Sequence, residues 1–407
     1  MTASQKHSTL PFPPPGTPLR TKTTPPPTLF TPLQIRTLTL QNRFVVSPMG
    51  TWSASHGHLT PFHLAHYGQF ALRGAALVLI EATSVTANGR TSPQDAGLWQ
   101  ESQIAPLKSV VEFVHGLGQK VGVQLGHGGR KAGMPVPAFV PSLPVLGPGV
   151  AALDEAAGWP DDVWGPSEVR YSEAYPMPKV LSVEGIEGVI QAFADAAERA
   201  VKAGADLIEL HAAHGYLIHL FLSPLSNTRT DEYGGSFENR IRFLTRIIEA
   251  IRRKVPESII LSIRISATDW MEYSGKPSWT LEQSIRLAKL LPDLGVDILD
   301  VSSGGLVAEQ NIKISPTYQS DLAGKIRRAL RESGLDLLIA TVGFIDSPEV
   351  AKGVVQEGTG QKSQTADLAF VGRQLLREPG FVLRCAQELG VDVEWPYQYV
   401  SARPKGI

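Results

Sequence analysis

The chain has 407 residues, 43% of them apolar, and 38 Lys and Arg stand against 39 Asp and Glu, for a formal net charge of −1. Charge so evenly balanced, without a long run of one sign, gives no footing for nucleic acid or an anionic membrane surface, and no run of about 18 apolar residues offers a membrane span. One cysteine, Cys385, excludes an internal disulfide and a thiolate zinc cluster, and fits a reducing, cytoplasmic compartment.

Residues 1–28 are rich in Pro, Thr and Ser and lack an apolar h-region, so they read as a disordered tail and not as a secretory signal. Short apolar runs then follow at 43–47, 77–81, 120–125, 206–211, 259–264, 297–302, 336–341 and 367–371. Several share one introduction, a glycine or threonine, a small residue and an Asp. Gly204-Ala-Asp206 precedes Leu207-Ile-Glu-Leu210, Gly295-Val-Asp297 precedes Ile298-Leu-Asp-Val301, and Thr365-Ala-Asp367 precedes Leu368-Ala-Phe-Val371. Gly74-Ala-Ala76 introduces Leu77 without the acid. Helical spacing fills the gaps. Over 183–203, Ile186, Val189, Ile190, Phe193, Ala197, Ala200 and Val201 share a face, with Ser182 as N-cap and Gly204 as the left-handed stop. Thr280-Leu-Glu-Gln283 predicts a capping box opening another helix, which Pro292 should end early.

Eight nearly continuous apolar strands alternating with helices imply a parallel sheet covered by helices, and the count favours a single closed (β/α)8 TIM barrel over 29–395. No Gly-x-Gly-x-x-Gly turn follows an early strand, which counts against a dinucleotide-binding Rossmann domain. The Pro- and Gly-rich stretch 131–181 after the third strand is too long for a connector and reads as a capping insertion over the barrel mouth. Residues 396–407 form a C-terminal extension.

Catalytic groups of such a barrel collect at the C-terminal strand ends. Those ends carry Ser47-Pro-Met-Gly50, Glu81-Ala-Thr83, Gln124-Leu-Gly-His127, His211 with His214, Arg264, Ser302-Ser-Gly-Gly305, Val342-Gly343 and Gly372-Arg373. The last two make the corner where backbone N–H groups and an arginine can hold a phosphate. His211-Ala-Ala-His-Gly-Tyr216 sets two imidazoles and a phenol at one strand end, neutral donors suited to gripping an oxygen atom and supplying a proton. A His-x-x-His pair alone also serves metal-dependent hydrolases, although no Asp or Glu at the neighbouring ends offers an obvious third ligand. Tyr216 can also be read as a core tyrosine, and Arg264 as the partner of an acid such as Asp269 or Glu272. His127 and Arg130 read as props of the third loop, and His56, His58 and His63 as surface or helix-start residues.

With these residues in view the sequence resembles the old yellow enzymes, in their bacterial-type, thermophilic-like ene-reductase branch. The matching pieces are Asn42-Arg43, Ser47-Pro-Met49, Leu59 to His63, His66-Tyr67, Gln124 to Lys131, His211 to Pro224, Thr230 to Arg240 and Val371-Gly-Arg373. The resemblance implies FMN as cofactor and NADPH or NADH as reductant. Ser47, Pro48, Met49, Gly50 and Ala82 would line the isoalloxazine, Gln124 its pyrimidine edge, Arg264 its N1 side, with Ser302 also in contact; Gly343, Gly372 and Arg373 would hold the phosphate. His211 and His214 would grip the oxygen of an activated alkene, and Tyr216 would deliver the proton. The substrate implied is a small α,β-unsaturated carbonyl, maleimide or nitroalkene, in a homodimer or homotetramer. A flavin-binding isomerase, or a homologue that has lost alkene reduction, is the alternative.

The sequence departs from that pattern in three places. Gly50 stands where the branch often has a cysteine, Trp52 where it often has a tyrosine at the substrate, and Tyr399 is followed by Val400-Ser401, so that Arg403 arrives too late for the usual arginine donated to a neighbouring subunit. The insert 358–365 precedes the eighth strand, on the face away from the site.

Overall fold

Eight parallel strands close on themselves in the computed structural model, which describes residues 12–19, 25–135, 158–356 and 364–404. A hairpin comes first, β1 (Leu33–Ile35) and β2 (Leu38–Leu40). The barrel strands are β3 (Phe44–Val46), β4 (Leu77–Ser84), β5 (Lys120–Gly126), β8 (Leu207–Ala212), β9 (Ile260–Ser266), β10 (Ile298–Ser302), β11 (Leu338–Val342) and β12 (Leu368–Val371), in the spatial order β10-β11-β12-β3-β4-β5-β8-β9. All eight expected runs are barrel strands. Between β5 and β8 lie β6 (Trp164–Gly165) and β7 (Lys179–Val180), paired with each other.

The recurring Asp before a strand has a structural cause. The carboxylate of Asp206 accepts the backbone N–H of Val121 at 2.9 Å while its own N–H donates to Val121 O at 2.8 Å. Asp297 makes the same reciprocal pair with Leu261, and Asp367 with Ile339. Each acid thus staples its strand to the start of the strand before it, satisfying a buried donor at the barrel's N-terminal rim.

Alternation sorts the strand residues between two cores. Leu77, Leu79, Leu207, Ile260, Ile298 and Leu368 point inward and pack on Ile35, Leu38 and Leu40, so the hairpin plugs the barrel bottom. Steps of two from these residues carry Glu209 and His211, Ser262 and Arg264, and Asp300 and Ser302 to the same inner face, rising toward the mouth. The outward residues meet the helices α1 (Pro61–Leu72), α2 (Ile104–Gly116), α3 (Val183–Ala203), α4 (Leu217–Leu222), α5 (Phe237–Lys254), α6 (Leu281–Ala288), α7 (Tyr318–Glu332), α8 (Pro348–Val355), α9 (Arg373–Arg377) and α10 (Phe381–Glu388).

Helix α3 follows its expectation closely. Ser182 accepts from Gly185 N–H at its start, Gly204 (φ 101°) ends it in the left-handed region, and Ile186, Phe193, Ala197 and Ala200 are fully buried. The expected capping box of α6 does not form. Thr280 occupies the N-cap without a side-chain cap bond, its side chain meeting Glu282, and Gln283 donates to Ser278 O and accepts from Arg240 instead. The helix ends at Ala288, ahead of Pro292.

Residues 12–19, within the Pro-rich stretch read as a tail, pair with 392–394. Gly16 N–H donates to Glu394 O at 2.9 Å, Leu19 N–H to Asp392 O at 2.8 Å, and Glu394 N–H to Thr17 O at 2.8 Å. A Pro-rich composition does not forbid this, since proline is compatible with an extended edge segment whose donors come from its neighbours. Leu29 and Phe30, at the start of the globular body, are fully buried. The middle of the capping stretch, 136–157, and most of the insert 358–365 lie outside the described residues.

Candidate active site

The chain leaves β8 through a strained turn. His214 (φ 59°) and Gly215 (φ 73°) both lie in the left-handed region, which a non-glycine residue enters only when its surroundings hold it there. A Cβ on Gly215 would fall 2.4 Å from Gly305 O, so only glycine allows the β8 and β10 loops to approach this closely. His214 N–H donates to Ser266 Oγ at 2.9 Å, Lys131 Nζ donates to His214 O at 2.9 Å, and Gly215 N–H donates to His219 Nδ1 at 3.0 Å. The turn brings three rings together: His211 lies 5.2 Å from His214 and 4.7 Å from Tyr216, centroid to centroid, each pair edge to face.

Hydrogen bonding assigns the ring protons. Gln319 Nε2 donates to Val342 O at 2.8 Å, so its Oε1 accepts from Ser302 Oγ, also at 2.8 Å. Ser302 has then spent its proton, and His214 Nε2–H donates to Ser302 Oγ at 2.7 Å. His211 Nδ1 accepts from Ala213 N–H at 3.4 Å, leaving Nε2–H as its free donor. Burial holds both imidazoles neutral. It pulls His214 down to about 3, aided by the charges of Arg264 and Lys131, and pulls His211 well below the usual imidazole range, aided by His214 and Arg264. Burial also pushes the Tyr216 phenol up, with Asp95 contributing, so Tyr216 keeps its proton. Lys131, buried beside Arg130, is lowered to about 7 and stacks 4.0 Å over the Tyr171 ring and 5.9 Å over the Tyr216 ring.

Arg264 sits one layer deeper and is not a lone cation. Its Nε bonds Asp300 Oδ2 and lies 3.8 Å from Glu209 Oε1, while Nη2 donates to Ser47 Oγ at 2.8 Å. Glu209 also accepts from Gln124 Nε2 at 2.9 Å and Ser262 Oγ at 2.8 Å. Burial raises both acids, Glu209 to about 7, against the pull of Arg264. The acids that the sequence suggested for Arg264 are engaged elsewhere, Asp269 with His219 and Glu272 with Thr268.

A cavity of about 360 Å³ opens above this layer, lined among others by Ser47, Met49, His214, Arg264, Ser302, Gly343, Gly372 and Arg373. It combines a buried guanidinium at the strand ends with Gly343, Gly372, Arg373 and Arg377 at the corner of β11 and β12. Arg264 Nη1 has no hydrogen-bond partner among the described residues. This donor set suits a phosphorylated, electron-accepting ring, so the residues fit FMN. Ala82, His211 and Tyr216 line a separate, smaller cavity of about 20 Å³, together with Asp95 and His127.

The other expected residues are spread more widely. Gln124 is buried under the cavity on Glu209, and Pro48 is buried beside Ser47. Trp52 is 42% exposed and lines neither cavity. A Cβ on Gly50 would meet nothing within 4 Å, so space does not explain the missing cysteine. Arg403 pairs with Asp392 of its own chain. His127 accepts Gly129 N–H, and Arg130 ties the capping segment to the β10 loop through Val169 O, Arg170 O and Leu306 O. His63 accepts Thr60 N–H at the start of α1. Among the described residues no three His, Cys, Asp or Glu side chains converge as metal ligands. Sequence reasoning missed Glu209, Asp300, Gln319 and the His219–Asp269 pair. The first two had a signal: a carboxylate inside an apolar strand, two residues before a site residue.

A (β/α)8 barrel with a buried guanidinium at the strand ends and a corner lined by Gly343, Gly372 and Arg373 suits a flavin-dependent oxidoreductase. Residues 28–392 match the NADH:flavin oxidoreductase / NADH oxidase family. The chain is 43% identical over 390 residues to an NADH:flavin oxidoreductase of Gibberella zeae, covering 94% of this chain and 90% of that one. It is 39% identical over 373 residues to an NADPH dehydrogenase of Bacillus subtilis, covering 91% and 98%. A morphinone reductase solved with tetrahydroNAD superposes with a TM-score of 0.68 at 26% identity, covering 91% and 93%. A 2-naphthoyl-CoA reductase, at 24% identity and TM-score 0.75 over 89% of this chain and 52% of that one, shares the fold. The chain belongs to the NADH:flavin oxidoreductase / NADH oxidase family, in its old yellow enzyme type, and is an oxidoreductase using FMN with a reduced nicotinamide nucleotide. No helix among the described residues is long and apolar enough to cross a membrane.

Proposed function

We propose that the protein reduces the C=C bond of small alkenes activated by a carbonyl or nitro group. The observation that carries this reading is the gathering of His211, His214 and Tyr216, all held in uncharged, proton-bearing form, around the end of β8 beside the Arg264 cavity. Bound FMN supplies the chemistry of hydride transfer, taken from NADPH or NADH and passed to the β-carbon of the alkene.

The protein's own groups do the rest. His211 Nε2–H donates to the substrate oxygen, and a neutral N–H aimed at a developing enolate stabilises it without a counter-charge to desolvate. His214 joins when its Nε2–H exchanges Ser302 Oγ for the same oxygen. Tyr216, on the other flank of His211, gives its phenolic proton to the α-carbon, so that one hydride and one proton complete the saturated product. Ser47, Met49, Gly343, Gly372 and Arg373 hold and orient the cofactor. Arg264 faces it with a charge that Asp300 already offsets.

The deciding experiment follows the visible spectrum of FMN-loaded protein under argon during addition of NADPH and then 2-cyclohexenone. Bleaching by NADPH and recovery on enone is the expected course. Bleaching without recovery would leave an FMN oxidoreductase with another acceptor.

A further inference from the structure

His219 and Asp269 lie behind the β8 turn, touch neither cavity, and are completely buried. Their bonds are directional. His219 Nδ1 accepts from Gly215 N–H at 3.0 Å, so in the neutral ring the proton is on Nε2, which lies 3.0 Å from Asp269 Oδ1. Asp269 in turn is fixed by Ser223 Oγ–H at 2.6 Å and by Trp279 N–H at 2.7 Å. A carboxylate can only accept, so it selects the Nε2–H tautomer and leaves Nδ1 as an acceptor.

We propose that Asp269 is a positioning residue for the reaction: through the tautomer of His219 it holds the Gly215 amide, and with it the left-handed turn that carries His214 and Tyr216. The turn needs such a hold because His214 (φ 59°) sits in a region unfavourable to a side chain. Ser266 grips His214 N–H and Lys131 grips His214 O, whereas Gly215 N–H, between the two functional rings, meets only His219 among the described residues. The inference rests on the alkene-reductase reading for its kinetic consequence, although the hydrogen-bond arrangement can be tested without it.

Asp269→Asn is the variant to make in the FMN-loaded protein. An amide keeps the size but can donate to His219 Nε2, which moves the ring proton to Nδ1 and sets it against Gly215 N–H. The expected result is a loss of about 10- to 100-fold in affinity for a simple phenol, whose oxygen His211 and His214 would grip as they would the alkene's, and in kcat for enone, the cost of one lost buried hydrogen bond, with FMN content and the rate of reduction by NADPH nearly unchanged. His219→Asn is the companion, because its amide oxygen can accept Gly215 N–H without help from Asp269. In the His219→Asn background, Asp269→Asn should have little further effect. Equal losses in both backgrounds would show Asp269 acting through Ser223 and Trp279 and would overturn the proposal. Hydrogen exchange of the peptide spanning 211–217 gives a readout independent of catalysis. Faster exchange at Gly215 in Asp269→Asn supports the hold even if the wild type fails to reduce enones, and unchanged exchange sinks it.

Discussion

At the scale of single residues the two histidines are not equivalent. His211 offers a free Nε2–H, whereas His214 Nε2–H already serves Ser302 Oγ. His211→Ala should therefore weaken phenol binding by about 1–3 kcal/mol, the cost of leaving a buried acceptor unpaired, and His214→Ala by less, because His214 exchanges one bond for another. Titration of the holoprotein with a phenol measures both, and equal losses would mean that His214 has already turned from Ser302 in solution. Tyr216→Phe should slow re-oxidation of the reduced enzyme by enone at least about 100-fold, the usual contribution of a positioned acid, while reduction by NADPH stays near normal. If stopped-flow shows both halves slowed alike, Tyr216 is not the donor. Arg264→Met should destabilise the fold by about 3–5 kcal/mol, since it strands Asp300 and Glu209 without their cation. Urea unfolding would show whether the two acids instead take up protons and escape that penalty. The histidines, the tyrosine and the arginine stood out from type and position at strand ends, while their roles came from the family resemblance. The proton assignment was not legible, because it depends on Gln319 and Ser302, which meet His214 only across the folded barrel mouth.

At the scale of elements, the acids that introduce the strands act as cross-strand staples. Asp297 accepts Leu261 N–H at 2.8 Å and also binds Arg36 and Arg252. Asp297→Ala should cost about 2–4 kcal/mol through one unsatisfied backbone donor and two arginines left without their acid. A thermal shift comparable to that of an exposed Asp→Ala control would contradict this. The repeat itself was visible in the sequence; its partner strand was not, because a reciprocal bond between neighbouring strands has no fixed spacing along the chain. The same limit explains α6, where Thr280 and Gln283 have the spacing of a capping box, yet Gln283 is drawn to Arg240 of α5. Helix α3 came out as read because its cap, stop and apolar face all lie within its own segment.

At the scale of the whole molecule, buried histidines should weaken the fold in acid. Burial lowers His127 from 6.5 to about 4 and His214 to about 3. Below the ordinary histidine range the unfolded chain binds protons that the native state refuses, so stability rises with pH across this window and falls as pH drops from 6.5 toward 4. Between pH 6.5 and about 5 the His127 contribution alone amounts to about 2 kcal/mol. His127→Asn, which can still accept Gly129 N–H, should flatten the pH dependence of urea unfolding over that window; an unchanged slope would place the titration elsewhere. Glu209, raised to about 7, works in the opposite sense and weakens the fold as pH rises above the usual carboxylate range.

The eight strands, their helices and the polar groups at the strand ends were determined by the sequence alone, because apolar periodicity, glycine stops and polar strand ends are properties of contiguous residues. Tertiary structure decided how those ends are wired. Arg264 is neutralised from neighbouring strands by Asp300 and Glu209, His214 turns toward Ser302, and residues 12–19 pair with 392–394 despite their proline content. Each of these joins residues far apart in the chain, and which of several equally suitable partners meets a given group depends on barrel closure and register.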